Sequence, residues 1–320
     1  MTSRLHALLA SILLALCINN ASAQDNYPSK PIQLISILSP GTALDALARL
    51  YADKLSKLFG QSVIVQNRPG AGGVIGTQSV LTSAPDGYTI MMTNSAHSIN
   101  PWVMPSLPYD SVKDFSGIGM VADAPAVAVI NPLLKVRTLA DFIRLAREKP
   151  GTINYGSAGV GTSTHLAAAS FAEKFGINLV HVPYKNGSDL RSDLFTGRIQ
   201  AVFAPPAYVL PQIKEGKLYA LGSSTLEDLK EPLVVPSIAK TMGVNYEYST
   251  WYGLVASSLV PAPILEKLAR AVTQVSRDPD VLEVMRSNGV GPRNIPLREF
   301  DTFIKSDIEA VRRLVNNAIK

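Results

Sequence analysis

The apolar positions of this chain alternate between two periods. Residues 32–38 (IQLISIL) form a short apolar run that predicts a strand, and Ser39-Pro40-Gly41-Thr42 predicts a turn. Across residues 45–59, Leu47, Leu50, Leu55 and Leu58 fall at helical spacing, with Gly60 as a stop. Residues 62–66 predict a strand, 67–73 a loop, 74–83 a helix and 88–93 a strand. This β-α-β-α-β order predicts a mainly parallel sheet with helices on both faces.

A second unit opens near Ala126. Residues 126–131 predict a strand and 139–148 a helix, closed by Pro150-Gly151. Residues 154–157 read as a strand running into a glycine loop, 164–175 as a helix, 180–184 as a strand and 188–196 as a helix. Residues 201–204 and 217–223 read as strands, and 251–256 (WYGLVA) as a strand returning to the first unit. Residues 264–276, 279–288 and 296–318 are helical in pattern. The expected fold class is α/β, with two α/β lobes, the second inserted into the first. Residues 24–124 and 248–320 are expected in one lobe and 125–247 in the other. Two crossings make a hinge, and the interlobe cleft is the default ligand site.

Composition narrows the function classes. Of 320 residues, 47% are hydrophobic and 17% charged, enough apolar material for a packed core. One Cys excludes an internal disulfide scaffold and a cysteine-caged zinc. The net charge of +5 is spread along the chain, so nucleic acid is not an expected partner. The N-terminus carries Arg4, an apolar stretch at 7–17 and Ala21-Ser22-Ala23, the pattern of a cleaved signal peptide over residues 1–23. Leu16 before Cys17 disfavours a lipid anchor. Removal of Arg4 would leave 5 − 1 = +4 in a periplasmic, cysteine-free chain, and no later stretch is long enough to span a membrane.

Two loops carry candidate chemistry. Residues 39–45, with Ser39, Gly41, Thr42, Ala43 and Asp45, lie between a strand and a helix N-terminus, where amides and the helix dipole favour an anion. They read equally as an ordinary turn capped by Asp45. Residues 157–165 hold Ser157, Gly159, Gly161, Thr162, Ser163 and His165. Their glycines permit close backbone approach, and their hydroxyls suit a carboxylate or phosphate. The Gly-Lys-Ser/Thr ending of a P-loop is missing, and the G-x-x-G-x-G spacing is not the dinucleotide fingerprint. The other reading is a glycine turn with a Ser/Thr cap. Residues 70–76 also miss that fingerprint and read as a tight turn with close helix packing. His97, His165 and His181 are scattered, so no metal or other cofactor is expected. A Ser157 or Ser163 hydrolase using His165 lacks a G-x-S-x-G elbow and a placed acid.

The sequence resembles the Bug (Bordetella uptake gene), or TctC-like, family of extracytoplasmic solute receptors of tripartite tricarboxylate transporters. The resemblance runs over residues 27–315. It is carried in order by YPSKPI at 27–32, NRPGAGG at 67–73, PDGYT at 85–89, LPYD at 107–110, KDF at 113–115, NYGSAG at 154–159, HL at 165–166, HVPYK at 181–185, KEGKL at 214–218 and WYG at 251–253. It implies a type II periplasmic binding protein, likewise two-lobed, that grips a ligand carboxylate between the 39–45 and 157–165 loops with ordered waters. It also implies membrane transporter subunits as partners, with a sensor kinase as an alternative that need not exclude them, and the chain is expected to be a monomer. Two departures stand out. Thr42 replaces a usual glycine, which narrows the pocket or adds a hydroxyl contact. Ala204-Pro205-Pro206 stands where many members have an Asp, leaving a neutral wall suited to a dicarboxylate or aromatic acid rather than an amino acid. Asn94, Ser95, His97, Tyr184, Asn186 and Thr250 are candidates for the ligand's far end.

Overall fold

A computed structural model describes residues 26–184, 187–230 and 233–318. The expected signal segment, residues 1–23, and the candidate Asn186 lie outside them.

The chain begins with β1 (Ile32–Ser36), α1 (Ala43–Phe59), β2 (Val63–Asn67), α2 (Val74–Leu81), β3 (Thr89–Asn94), α3 (Ala96–Val103) and β4 (Phe115–Pro125). It crosses into β5 (Val127–Ile130), α4 (Leu139–Glu148), β6 (Asn154–Ser157), α5 (Ser163–Phe175) and β7 (Val180–Pro183). There follow α6 (Gly187–Thr196), β8 (Ala201–Ala204), α7 (Pro206–Lys214), β9 (Tyr219–Ser223) and α8 (Ile238–Met242). It returns through β10 (Ser249–Ser257), α9 (Ala262–Val275), α10 (Pro279–Ser287), β11 (Gly291–Pro296) and α11 (Leu297–Ala318). The first sheet has the order β11-β4-β10-β3-β1-β2 and the second β7-β6-β8-β5-β9.

The first sheet is mixed, which corrects the expectation of a mainly parallel one. β1 pairs in parallel with β2 and β3, but β10 runs antiparallel to β3 and β4, and β11 antiparallel to β4. The cause is the double crossing. β4 leaves for the second sheet as β10 returns beside it, with Thr250 opposite Ala124, so the two must run in opposite directions. A Cβ on Gly117 or Gly253 would lie 2.7 Å or 2.4 Å from the ring of Phe300. These strands are therefore bare where α11 lies on them.

Alternation builds the second lobe's core. Along β5, Ala128 and Ile130 face a cluster with Phe142, Phe171 and Phe203, while Val127 and Val129 face another with Leu190, Leu194 and Val209. One strand thus serves both faces of a sheet covered on each side. In the first lobe, α1 buries Leu44, Leu47, Tyr51 and Leu55 at helical spacing and ends on Gly60 with φ 64°.

Buried Ser224 joins the crossings. Its hydroxyl accepts from Ala126 N at 2.8 Å and donates to Tyr248 O, while its carbonyl accepts from Tyr248 N at 3.1 Å. Ser224→Ala leaves the Ala126 amide without its partner. The expected loss is about 1–2 kcal/mol in urea unfolding, and a loss below about 0.5 kcal/mol would dismiss the stitch. Helix α11 forms a further link. Trp102 Nε1 donates to Ile308 O at 2.7 Å, and Val315 packs with Ile99 of α3 and Leu166 of α5.

Candidate functional site

The strand directions define where a site can lie. β1, β2 and β3 are parallel, so Ser36, Asn67 and Asn94 share one edge of the first sheet, joined by Ala124 and Thr250. In the second sheet Ser157, Pro183 and Ala204 share the corresponding edge, beside Val127 and Ser223. The chain crosses between the lobes at these same edges. The carboxyl ends of both parallel strand sets therefore lie at the crossings, the usual position of a ligand site in open α/β sheets.

On the first edge, the 39–45 loop is built around Asp45, which is 4% exposed. Its carboxylate accepts from Gly41 N at 3.0 Å, Arg49 Nε at 3.1 Å and Asn67 Nδ2 at 2.8 Å. Burial pushes this carboxyl's pKa upward, but those hydrogen bonds outweigh it and hold the group below its ordinary range. Asp45 therefore shapes the loop, its carboxylate turned to these three donors. Thr42 Oγ1 donates to Ser39 O at 2.9 Å and accepts from Asp45 N at 3.3 Å, capping α1. The hydroxyl is thus engaged within the loop, contrary to the expectation that it adds a ligand contact. Of the amides that begin α1, those of Ala43 and Leu44 lie ahead of the capped one. Ser39 and Gly41 are exposed.

On the second edge, α5 begins without a side-chain cap. Thr162 Oγ1 turns back to Gly159 O at 2.8 Å, so it does not cover the amides of Ser163 and Thr164. Gly159 and Gly161 have φ 123° and 74°, a left-handed pair that turns the chain onto the helix. Ser157 is fully buried. Its hydroxyl accepts from Gly159 N at 3.0 Å and lies 2.6 Å from His181 Nε2. His165 is 2% exposed, and its Nδ1 accepts from Gly161 N at 3.0 Å. It supports the loop through that bond. Tyr248, in the returning crossing, donates its hydroxyl to Ser163 O at 2.9 Å.

The other candidates are dispersed. Asn94 Oδ1 accepts from Ala96 N at 3.0 Å, and Ser95 Oγ accepts from Trp251 N at 3.0 Å. Thr250 and Ala204 are buried at the two edges, and Tyr184 donates to Asp193 at 2.8 Å. His97 is 1% exposed in the first lobe's core, against Phe115, with Nε2 2.9 Å from Ser111 O. That enclosure removes it from the ligand-contact set. A groove of about 650 Å³ lies elsewhere, lined by Glu266, Arg270, Arg277 and Leu297, where α9 meets the start of α11. The glycines at 70–76 do serve close packing, since a Cβ on Gly73 would meet Ile37 Cδ1 at 2.8 Å. Among the described residues no group of acidic and histidine side chains converges as a metal site would.

Burial lowers the pKa of both His97 and His165 to about 4, with His181 adding to the effect at His165. The unfolded chain takes up these protons near pH 6.5, so between about pH 6.5 and 4 it binds more protons than the folded state. Stability should then fall as pH drops through that window. Urea midpoints flat between about pH 7 and 4.5 would contradict the neutral assignment.

Two sheets joined by a double crossing, with helix starts gathered at the junction, define the two-lobe fold of periplasmic binding proteins. Residues 47–319 match TctC, the Tripartite tricarboxylate transporter family receptor, and the chain belongs to that family. It is 32% identical to Protein BugT of Bordetella pertussis over 96% of this chain and 95% of that one. It is also 32% identical to a solved periplasmic transporter, with TM-score 0.83, over 91% of this chain and 97% of that one. R. palustris Rpa4515 with adipate superposes with TM-score 0.85 at 26% identity, over 91% of this chain and 98% of that one. The family comprises periplasmic solute receptors, and among the described residues no helix is long and apolar enough to cross a membrane.

Proposed function

We propose that this protein captures a small carboxylate in the periplasm and delivers it to the membrane subunits of a tripartite tricarboxylate transporter, without chemical conversion. The observation that carries this reading is the pair of helix starts, α1 and α5, gathered with the carboxyl ends of both sheets at the crossings. Helix N-termini bind a carboxylate through amides and the helix dipole without needing an arginine, and bridging waters accommodate related acids. In this reading Ser39, Gly41, Ala43, Ala158, Gly159, Thr162, Ser163 and Thr164 surround one carboxylate. Asn94, Ser95, Thr250, Tyr184 and the neutral end of β8 at Ala204 line the space for the rest of the ligand. The adipate in Rpa4515 supports a dicarboxylate. Residues 24–124 with 248–320, and 125–247, are the closing lobes, and residues 1–23 are the removed export signal.

Ser157 and His181 are a serine–histidine pair, but the serine is fully buried, which favours a binding role over hydrolysis. A thermal-shift screen of the mature protein against di- and tricarboxylates, aromatic acids, amino acids and neutral solutes tests the reading. An acid present at about 100 times its dissociation constant should stabilise the fold by about 2.7 kcal/mol. Response only to amino acids or neutral solutes would overturn it.

A further inference from the structure

Beneath the 157–165 loop, three rings lie in a stack. His165 and His181 are 3.8 Å apart at 13°, and Tyr155 lies 5.0 Å from His181 at 23°. The two histidines come from α5 and β7, and each reaches a different point of the loop. His165 Nδ1 accepts the Gly161 amide, while His181 Nε2 meets Ser157 Oγ, which in turn accepts the Gly159 amide. We propose that His165 and His181 act as paired positioning residues, holding the loop in its ligand-receiving shape while both are uncharged and releasing it when His165 takes up a proton.

The tautomer follows from the hydrogen bonds. Nδ1 of His165 accepts an N–H, so the neutral ring carries its proton on Nε2. Protonation at Nδ1 would set two donors against each other and break the hold on Gly161. The stack also opposes charge on both rings, because two imidazolium ions at this separation repel. Tyr155 from β6 and Ser157 face the pair, and the Tyr248 hydroxyl is bonded to Ser163 O at the start of α5. Among the described residues no carboxylate contributes to the titration of either ring. Burial lowers the pKa of both, and a released loop would let His165 return toward its ordinary value. Acid therefore favours the released loop. Only the ligand arm of this inference rests on the carboxylate-receptor reading.

The test compares the full mature chain with His165→Ala, His165→Asn and His181→Ala, using amide hydrogen exchange at Gly159 and Gly161 and adipate binding. Asparagine offers an acceptor near the Nδ1 position and does not titrate. Near neutral pH, Gly161 should be protected in the wild type and in His165→Asn, and should lose protection in His165→Ala. Toward about pH 4.5 the wild type should lose Gly161 protection and about tenfold more adipate affinity than His165→Asn. Both proteins meet the same adipate ionisation, so their ratio isolates the ring. His181→Ala should loosen Gly159 while leaving the pH response of Gly161 in place. Unchanged Gly161 protection in His165→Ala, or parallel pH profiles in the wild type and His165→Asn, overturns the proposal. Should His165→Ala fail to fold, the comparison with His165→Asn decides alone. A wild type that binds no adipate near neutral pH, yet shows the Gly161 responses, overturns the dicarboxylate reading and leaves the positioning role standing.

Discussion

Gly161→Val is expected to destabilise the protein by about 3 kcal/mol and to weaken carboxylate binding by more than about tenfold. Gly161 sits at φ 74°, where an L side chain is strained by about 1–2 kcal/mol. A Cβ there would also lie 2.6 Å from Val103 Cγ1, at the end of α3 in the other lobe. Relieving that overlap costs about another 1–3 kcal/mol. The distortion falls on the amide that His165 holds and on the first turn of α5, so stability and binding should decline together. Gly159→Ala is the control. Its φ is 123°, but the nearest atom to its Cβ is Thr162 Cγ2 at 3.8 Å, so it meets strain without overlap. Urea unfolding and titration calorimetry read both effects. Equal losses in the two variants would refute the contact with Val103 as the larger cause.

Asp45→Ala should cost about 3 kcal/mol and about tenfold in carboxylate affinity, although Asp45 touches no ligand in this account. Its carboxylate holds Gly41, Asn67 and Arg49 together, and all three donors lose their acceptor at once. Arg49 is half exposed and regains water, so its share is small. The part-buried hydrogen bonds from Gly41 and Asn67 make up most of the loss. Asp45→Asn keeps an oxygen at the site and should recover part of it. The low pKa of Asp45 gives stability present above the ordinary carboxylate range and lost as pH falls through its folded value. A variant with wild-type stability but weakened binding would instead place Asp45 in contact with the ligand.

The two candidate loops were legible as strand-to-helix turns in the sequence because their signals are local. A glycine, a hydroxyl residue and a following helical pattern mark a strand-to-helix turn, and 39–45 and 157–165 are such turns. What each side chain does in them was not legible. Asp45 faces Asn67 across the sheet edge, and His165 meets His181 from a neighbouring strand. Those partners are set by tertiary packing, which no spacing rule reveals, and His181 read only as a scattered histidine. The missed elements have similar causes. β4 contains Gly117, which makes room for Phe300, and Gly119, and the two broke its apolar pattern. Helices α3 and α7 contain Pro101 and Pro211, and these disguised them as loops. In α7 the further proline, Pro206, sits at the first turn, where no amide hydrogen bond is needed.

The most direct test of carboxylate capture at the paired helix starts is the amide spectrum of the mature protein during titration with the acid that stabilises it most. The expected result is that the largest shifts fall on Gly41, Ala43 and Leu44 in one lobe and on Gly159, Ser163 and Thr164 in the other. Shifts confined to one of these loops, or gathered instead along the groove of Arg270, Arg277 and Leu297, would contradict it.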